Sequence, residues 1–397
     1  MIHSVREAFN TSFSIEKYQN LLNEIQKDYP NSLDFRIAES PVFVDKLFKN
    51  KLIEACESII DFFVSDTFEL QVKNAIPEGQ NVPNQNKHSS FLAIDFAVCK
   101  DETGELEPQL IELQGFPSLF GLQDYLPKLY RKYFEVPANF LNHNETLDSK
   151  SYFEELKKLI LGNEVPENVI LLEIFPEKQK TRIDFEITAR ELGIEAICLT
   201  KIFKVGEYLY YEKDGVKVQI KRIYNRLIFD DLQHYPNLQL NWNPTEEVNV
   251  SWVGHPNWFF KISKYAMPFL KHRFIPETKF LSDYQGVFPD NLADFVLKPL
   301  FSFAGAGVKI NVSIEDLNAI NDPQNYILQK KVKYESVVKS PDGLIKCEIR
   351  MLYIWHENEP RPKHLTNLAR LSRGEMIGVR FNKNFDWVGG STCFMEQ

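Results

Sequence analysis

"SFLAIDFAVCKDETGELEPQLIELQGFPS", residues 90–118, organises the reading of the whole chain. Residues 90–98 predict a strand, "KDETGELEP" a turn around Gly104, and "QLIELQG" the returning strand of a hairpin. Side chains two apart on a strand share a face. Glu112 and Gln114 therefore aim two oxygen donors at one point before the chain turns at Gly115 and Pro117. Asp95 on the other strand can face them. Two carboxylates buried side by side repel one another unless a cation joins them. Oxygen donors of this kind suit Mg²⁺, and Asp95, Glu112 and Gln114 are the candidate ligands. A turn-capping Asp95 and a lysine-paired Glu112 are the plainer alternative.

Upstream of the hairpin, residues 5–29 and 42–65 predict amphipathic helices. "DKLFKNKLIEACESIIDFF" carries apolar residues at three- and four-residue steps. Residues 66–88 predict a loop, and residues 119–162 are expected to be helical. "NVILLEIF", "TRIDFEITARELG" and "IEAICL" then give strand, helix and strand, the pattern of a small parallel α/β lobe that runs through "KRIYNRLIF" to about residue 255. Beyond it "DFVLKPL", "VKINV", "NYILQKKV", "KCEIRMLYIW" and "KHLTNLARLS" predict strands, with a short helix at "SIEDLNAI" capped by Ser313. The expected division is 1–160 for the helices and the hairpin, 161–255 for the central α/β lobe, and 256–397 for the remainder.

A chain of 397 residues exceeds one typical domain, and 44% hydrophobic content suffices for several cores. A formal net charge of -9 argues against general affinity for nucleic acid or an anionic membrane, because proteins that bind phosphates broadly are basic. Cys56, Cys99, Cys198, Cys347 and Cys393 stand singly, so neither a disulfide framework nor a zinc site is indicated. "MIHSVREAF" lacks the apolar core of a signal peptide and no apolar run is long enough to span a bilayer, so a cytoplasmic location is expected.

"FVLKPLFSFAGAGVKI" places Lys298 at a strand end, followed by Ser302, Ala304, Gly305, Ala306 and Gly307 in a tip with little side-chain bulk. Small residues let backbone N–H groups approach phosphate oxygens, and a nearby lysine adds a point charge. An ordinary hairpin turn has the same composition. In "YILQKKV" an apolar strand turns polar at Gln329, and Gln329, Lys330, Lys331 and Val332 could present backbone groups to a purine edge; a solvated strand end is the simpler reading. Arg350, Arg370, Arg373 and Arg380 cluster late in the chain, and arginine suits phosphate or carboxylate. Pairing with Glu348 or Glu375 would account for any one of them. His255 before Pro256 has no second histidine at ligand spacing and reads as a packed or capping residue.

Taken in order, "VLKPLFSFAGAGV", "ILQKKV", "EIRMLYIW" and "VRFNKNFDWVGG" resemble the nucleotide-binding half of the ATP-grasp superfamily. The superfamily's closing acidic segment is echoed at the other end of this chain, as "IDF…IELQ". The sequence thus resembles a circularly permuted ATP-grasp protein, a rearrangement compatible with termini that lie close together. It is similar in particular to the glutathionylspermidine synthase-like group, over about residues 90–125 and 255–395. "SKYAMPFLKHRFIP" matches a segment of that group and puts Lys264 on a matched lysine. Ala93 stands where the group has arginine, and Gln114 where it has asparagine; a glutamine carbonyl is still a metal donor.

The resemblance implies an α/β (α+β) fold, with a permuted ATP-grasp built from both chain ends and a central parallel lobe. It implies an ATP-dependent, Mg²⁺-dependent carboxylate–amine ligase that forms an amide through an acyl-phosphate and releases ADP. Asp95, Glu112 and Gln114 would hold Mg²⁺. Lys264 and Lys298 would grip the phosphates of ATP, with the backbone at 304–307 covering them. Residues 329–332 would hold adenine, and Arg350 with Arg370 or Arg380 would meet the transferred group. The partners implied are a small carboxylate and an amine, peptides and polyamines among them. A nucleotide-binding regulatory protein with a decayed site and a small-molecule kinase remain alternatives.

Overall fold

The computed structural model describes residues 3–232, 235–301, 306–374, 377, 382 and 384–397. Its architecture is mixed α and β, with the two ends of the chain sharing one sheet. Strands Phe91–Lys100 and Leu106–Gln114 form the expected hairpin. Phe91–Lys100 also pairs, antiparallel, with Gly343–Ile354, which pairs in turn with Lys363–Ser372, and the latter with Gly389–Ser391. Ser336–Ser340 pairs with Gly343–Ile354 as well, completing six strands.

Alternation gives this main sheet two unlike faces. One sends Ile94, Phe96, Val98, Leu113, Ile349 and Met351 into the principal core, against Phe48, Leu52 and Ile59 of the helix Lys46–Phe63. Each such side chain contributes about 1.5–3 kcal/mol on burial. The other face is apolar at one end, where Phe91, Ala93, Leu352 and Leu368 pack with Phe120, Tyr152, Leu171 and Tyr224. Its middle is charged.

A bulge makes this division possible. Asp95 pairs with Glu112 but Phe96 pairs with Leu110, which leaves Ile111 as an extra residue. Strict alternation would put Leu110 on the face of Glu112. The bulge re-aims the strand, so Leu110 enters the core while Glu112 and Gln114 join Asp95 on the other face.

The central lobe carries a four-stranded parallel sheet in the order Ser251–Val253, Arg222–Asn225, Val169–Glu173, Glu195–Cys198. Arg182–Leu192 is the crossover helix between the last two, ended by Gly193 at φ +72°. The chain leaves Val169–Glu173 in one direction for Glu195–Cys198 and returns on its other side for Arg222–Asn225. The topological switch point therefore lies between Val169–Glu173 and Arg222–Asn225. A small antiparallel sheet, Thr278–Phe280, Tyr326–Lys330 and Phe295–Pro299, forms a further layer.

Several elements differ from the sequence-based expectation. The helix expected over 5–29 is two helices, His3–Ser12 and Ile15–Asp28, because Ser14 turns out of the helix and its side chain accepts the Lys17 N–H. Residues 42–44 are not helical: Val42–Val44 pairs in parallel with Cys393–Glu396, and Asp45 caps the helix that follows by accepting the Phe48 N–H at 2.8 Å. The stretch 119–162 is two helices, Leu122–Tyr133 and Ser149–Leu161. The loop at 66–88 includes a short helix, Phe68–Gln71. "VKINV" forms no strand and contributes one bridge, Leu297 with Lys309. Among the described residues no helix is long and apolar enough to cross a membrane.

Candidate active site

Cross-strand register assembles the charged face. Arg350 lies opposite Asp95, which lies opposite Glu112; one step along, Arg370 lies opposite Glu348. Asp95 is 1% exposed and Glu348 2%. Arg350 clasps both oxygens of Asp95 through Nε and Nη2, and its Nη1 donates to Ser118 Oγ at 2.7 Å. Arg370 Nη2 donates to Asp95 Oδ2 at 2.8 Å and to Glu348 Oε1. The Tyr334 hydroxyl donates to Glu348 Oε2 at 2.8 Å.

Burial alone would raise the Asp95 carboxyl, but the two guanidinium groups hold it below its ordinary range. Burial wins at Glu348 and raises it. A pair of carboxylates pushed apart in this way is a mark of functional sites.

The lysines arrive from other layers. Lys264 opens the short 3₁₀ helix Lys264–Phe269, capped by Ser263, and its Nζ lies 3.0 Å from Glu112 Oε1. Lys298, near the end of Phe295–Pro299, donates to the carbonyl of the bulged Ile111 at 2.9 Å. The small sheet thus faces the main sheet, with Lys298 between them. Burial lowers the Lys298 ammonium from 10.5 to about 8, against the pull of Glu112. Glu112 keeps a quarter of its side chain exposed.

Gln329 occupies the middle strand of the small sheet, opposite Thr278 on one side and Val296 on the other. By alternation it shares a face with Lys298. At 330–331 the backbone N–H groups already have partners. The Lys330 N–H donates to Glu277 O and the Lys331 N–H to Asp294 O, and Lys330 is exposed. The side-chain amide of Gln329 is what lacks a partner: its Nε2 is buried with no hydrogen bond among the described residues. Val332 is half-buried.

Ala306 and Gly307 lie exposed in the turn after Lys298. Gly307 sits at φ +71°, where a Cβ would meet Pro299 Cγ at 2.7 Å, so only glycine fits. Ser302, Ala304, Gly305 and Arg380 lie outside the described residues. Arg373 stands apart from the cluster, donating to Asp342 O and Ser340 Oγ. His255 caps the short helix Pro256–Lys261 and contacts Pro83 O, the packed role its sequence suggested.

Sequence reasoning missed five residues. In the sequence Glu348 reads only as a pairing partner for the arginines, although its place two residues before Arg350 puts both on one face. Tyr334 and Ser118 carried no sequence signal. The last two are at the switch point of the parallel sheet, where ligands of open α/β sheets bind beyond the strand ends. Asn225 and Arg226 lie there. Arg226 Nη1 pairs with Asp184 Oδ2 at 2.5 Å, and its guanidinium stands 4.8 Å from the Phe185 ring centroid. Arg226 Nε and Asn225 Nδ2 are both buried with no hydrogen bond among the described residues. Pro117 packs against Gly254 at this edge, so the loop that carries Ser118 joins the switch point to the charged face.

The donor set tests the fit of Mg²⁺ and a nucleotide. Among the described residues no group of three or more His, Cys, Asp or Glu side chains is arranged to hold a metal ion. Asp95 is engaged by two guanidinium groups. Glu112 and Gln114 remain as oxygen donors. Four cations, Arg350, Arg370, Lys264 and Lys298, face three carboxylates, Asp95, Glu348 and Glu112. Such an excess suits an anion better than a bare dication. Mg²⁺ held by one or two protein oxygens together with substrate phosphates fits this arrangement.

No protein-family model matches the chain, and no curated protein matches it. Its fold is similar to the solved structure of a glutathione synthetase-like effector from Globodera pallida in its apo form. The TM-score is 0.60 over 97% of this chain and 98% of that one, at 10% sequence identity. The likeness is one of fold: a mixed α+β architecture similar, over nearly its whole length, to that of a glutathione synthetase-like protein.

Proposed function

We propose that the chain is an ATP-dependent carboxylate–amine ligase of ATP-grasp type, circularly permuted and akin to the glutathionylspermidine synthase-like group. The observation that carries this reading is the register that sets residues from both chain ends on one charged face, under a second sheet bearing Lys298. Lys298 and Lys264 hold phosphate oxygens, with the turn around Ala306 and Gly307 beside them and Gln329 on the base side. Glu112 and Gln114 hold Mg²⁺, which when bound neutralises phosphate charge. Arg350 and Arg370 face the group being transferred. Phosphoryl transfer asks mainly for positioning and charge neutralisation, and these side chains supply both. Asn225 and Arg226 offer unpartnered donors to the carboxylate end of an acid substrate. The acid carboxylate takes the γ-phosphoryl group of ATP with release of ADP, and the acceptor amine displaces phosphate from the acyl-phosphate to form the amide.

The test is calorimetric titration of ATP with and without Mg²⁺, followed by an ADP-release assay on paired acids and amines, peptides and polyamines included. ATP binds only with Mg²⁺, and ADP appears only when both acid and amine are present. Failure of the folded wild type to bind ATP overturns the reading. The clasp of Arg350 on Asp95 favours one second reading, a nucleotide-binding protein without turnover. Tight ATP binding with no ADP release across the whole panel would support it.

A further inference from the structure

Arg350 and Arg370 hold the same carboxylate but are differently placed. All three nitrogens of Arg350 are engaged, two on Asp95 and one on Ser118, and its side chain is 11% exposed. Arg370 uses Nη2 alone for both of its carboxylates, its Nε is buried with no partner among the described residues, and its side chain is 36% exposed. Arg350 is built in; Arg370 is parked.

Its berth is Glu348. That carboxylate is fully enclosed and has two donors, Arg370 on Oε1 and the Tyr334 hydroxyl on Oε2. Asp95, the other anchor of Arg370, is already satisfied by Arg350 in a two-point clasp, the strong geometry for a guanidinium and a carboxylate. What keeps Arg370 from turning outward is therefore mainly Glu348, and what tempers the hold of Glu348 is Tyr334.

We infer that Glu348, braced by Tyr334, is a positioning residue that governs how far Arg370 can turn from Asp95 towards an incoming phosphoryl group. The inference rests on the phosphate-binding reading above. It assigns the two neighbours of Arg370 opposite effects. Glu348→Gln keeps the shape and removes the charge, which releases Arg370 to an anion. Tyr334→Phe removes one donor from Glu348, which then draws more strongly on Arg370.

The experiment is Mg²⁺-free calorimetric titration with inorganic tripolyphosphate, each variant first checked for a cooperative thermal transition. Glu348→Gln binds about tenfold more tightly than wild type, and Tyr334→Phe about two- to threefold more weakly, the scale of a charge-assisted and a neutral hydrogen bond. In an Arg370→Ala background the gain from Glu348→Gln disappears. A purely structural role would weaken both variants. Unchanged or weaker binding by a folded Glu348→Gln overturns the inference, as does a gain that survives Arg370→Ala. Should Glu348→Gln not fold, a folded Tyr334→Phe with unchanged or tighter binding overturns it. Wild type that binds neither tripolyphosphate nor Mg·ATP removes the phosphate-site reading and this inference with it, a result distinct from binding that ignores residue 348.

Discussion

At one end of the charged face, Asp95 and Glu348 are wrapped by Arg350 and Arg370; at the other, Glu112 meets Lys264 beside Lys298. Both ends bring carboxylates and cations together, and they differ in balance and in which partner reaches water. The guanidinium end has two carboxylates for two arginines; both carboxylates are buried, and Arg370 is the member that reaches water. Among the described residues the lysine end has one carboxylate for two buried ammonium groups, and there Glu112 keeps a quarter of its side chain exposed. The first arrangement closes on itself and holds the sheet. The second is left with positive charge to spend on a ligand.

The contrast breaks most readily at Asp95. Asp95→Ala leaves two guanidinium groups without their shared anion, and removing one partner of a buried pair costs about 3–5 kcal/mol. Glu112→Ala breaks a pair whose carboxylate is a quarter exposed and whose lysine is buried, and costs less, about 1–3 kcal/mol. Urea denaturation of the two variants measures the gap, and equal losses would mean that the two ends are not different in kind.

Glu112 sharpens the comparison through binding. If it is both the partner of Lys264 and a donor to Mg²⁺, Glu112→Gln acts in two directions. Mg²⁺-free tripolyphosphate binds about fivefold more tightly, since Lys264 is released and one negative charge is gone, while Mg·ATP binds about tenfold more weakly, on the scale of interactions with charged groups. Calorimetry with both ligands on one variant reads both signs. A change of the same sign for both would remove Glu112 from the metal.

Much of this site was legible in the sequence. The i, i+2 spacing of Glu112 and Gln114 and the hairpin that returns Asp95 to them follow from strand geometry, and the structure keeps all three on one face. Lys298 lies near the end of a strand, as the pattern put it, while its contact with the hairpin at Ile111 was carried by no pattern. What was not legible depends on packing between distant segments. No local pattern says that Arg350 will pair across strands with Asp95, 255 residues away. The Ile111 bulge leaves no mark, because Leu, Ile and Leu around Glu112 satisfy either parity. The short strand Val42–Val44 was hidden because its partner, Cys393–Glu396, lies at the far end of the chain. The helix pattern at 119–162 was real but ran over an intervening loop, since apolar spacing marks faces and not ends.

Lys298 gives a pH test of the open end. Burial lowers its ammonium to about 8 from 10.5. A base depressed on folding binds its proton less readily in the native state. In the window from about 8 to 10.5 the unfolded chain thus carries more protons, and this group makes stability rise with pH across it. Anion binding runs the other way, because the charge that attracts phosphate is lost above about 8. Tripolyphosphate affinity measured from about pH 7 to about pH 9.5 falls roughly fivefold in wild type. It stays nearly flat in Lys298→Arg, where the charge persists. A fall of the same size in Lys298→Arg would place the titration elsewhere.

The smallest effect belongs to Gln114, and it separates a metal donor from a bystander. Its strand partner is Ala93, small and buried, so nothing across the sheet crowds the amide. Shortening the side chain by one methylene, Gln114→Asn, keeps the carbonyl but draws it back by about 1.5 Å, the length of a C–C bond. Gln114→Leu removes it. At fixed ATP, the Mg²⁺ concentration for half-saturation rises about two- to threefold in Gln114→Asn and by more in Gln114→Leu, since hard cations take oxygen ligands only. If leucine serves as well as glutamine, Glu112 alone among these strand residues meets the metal. The paired oxygens that make "IELQ" conspicuous would then reduce to one.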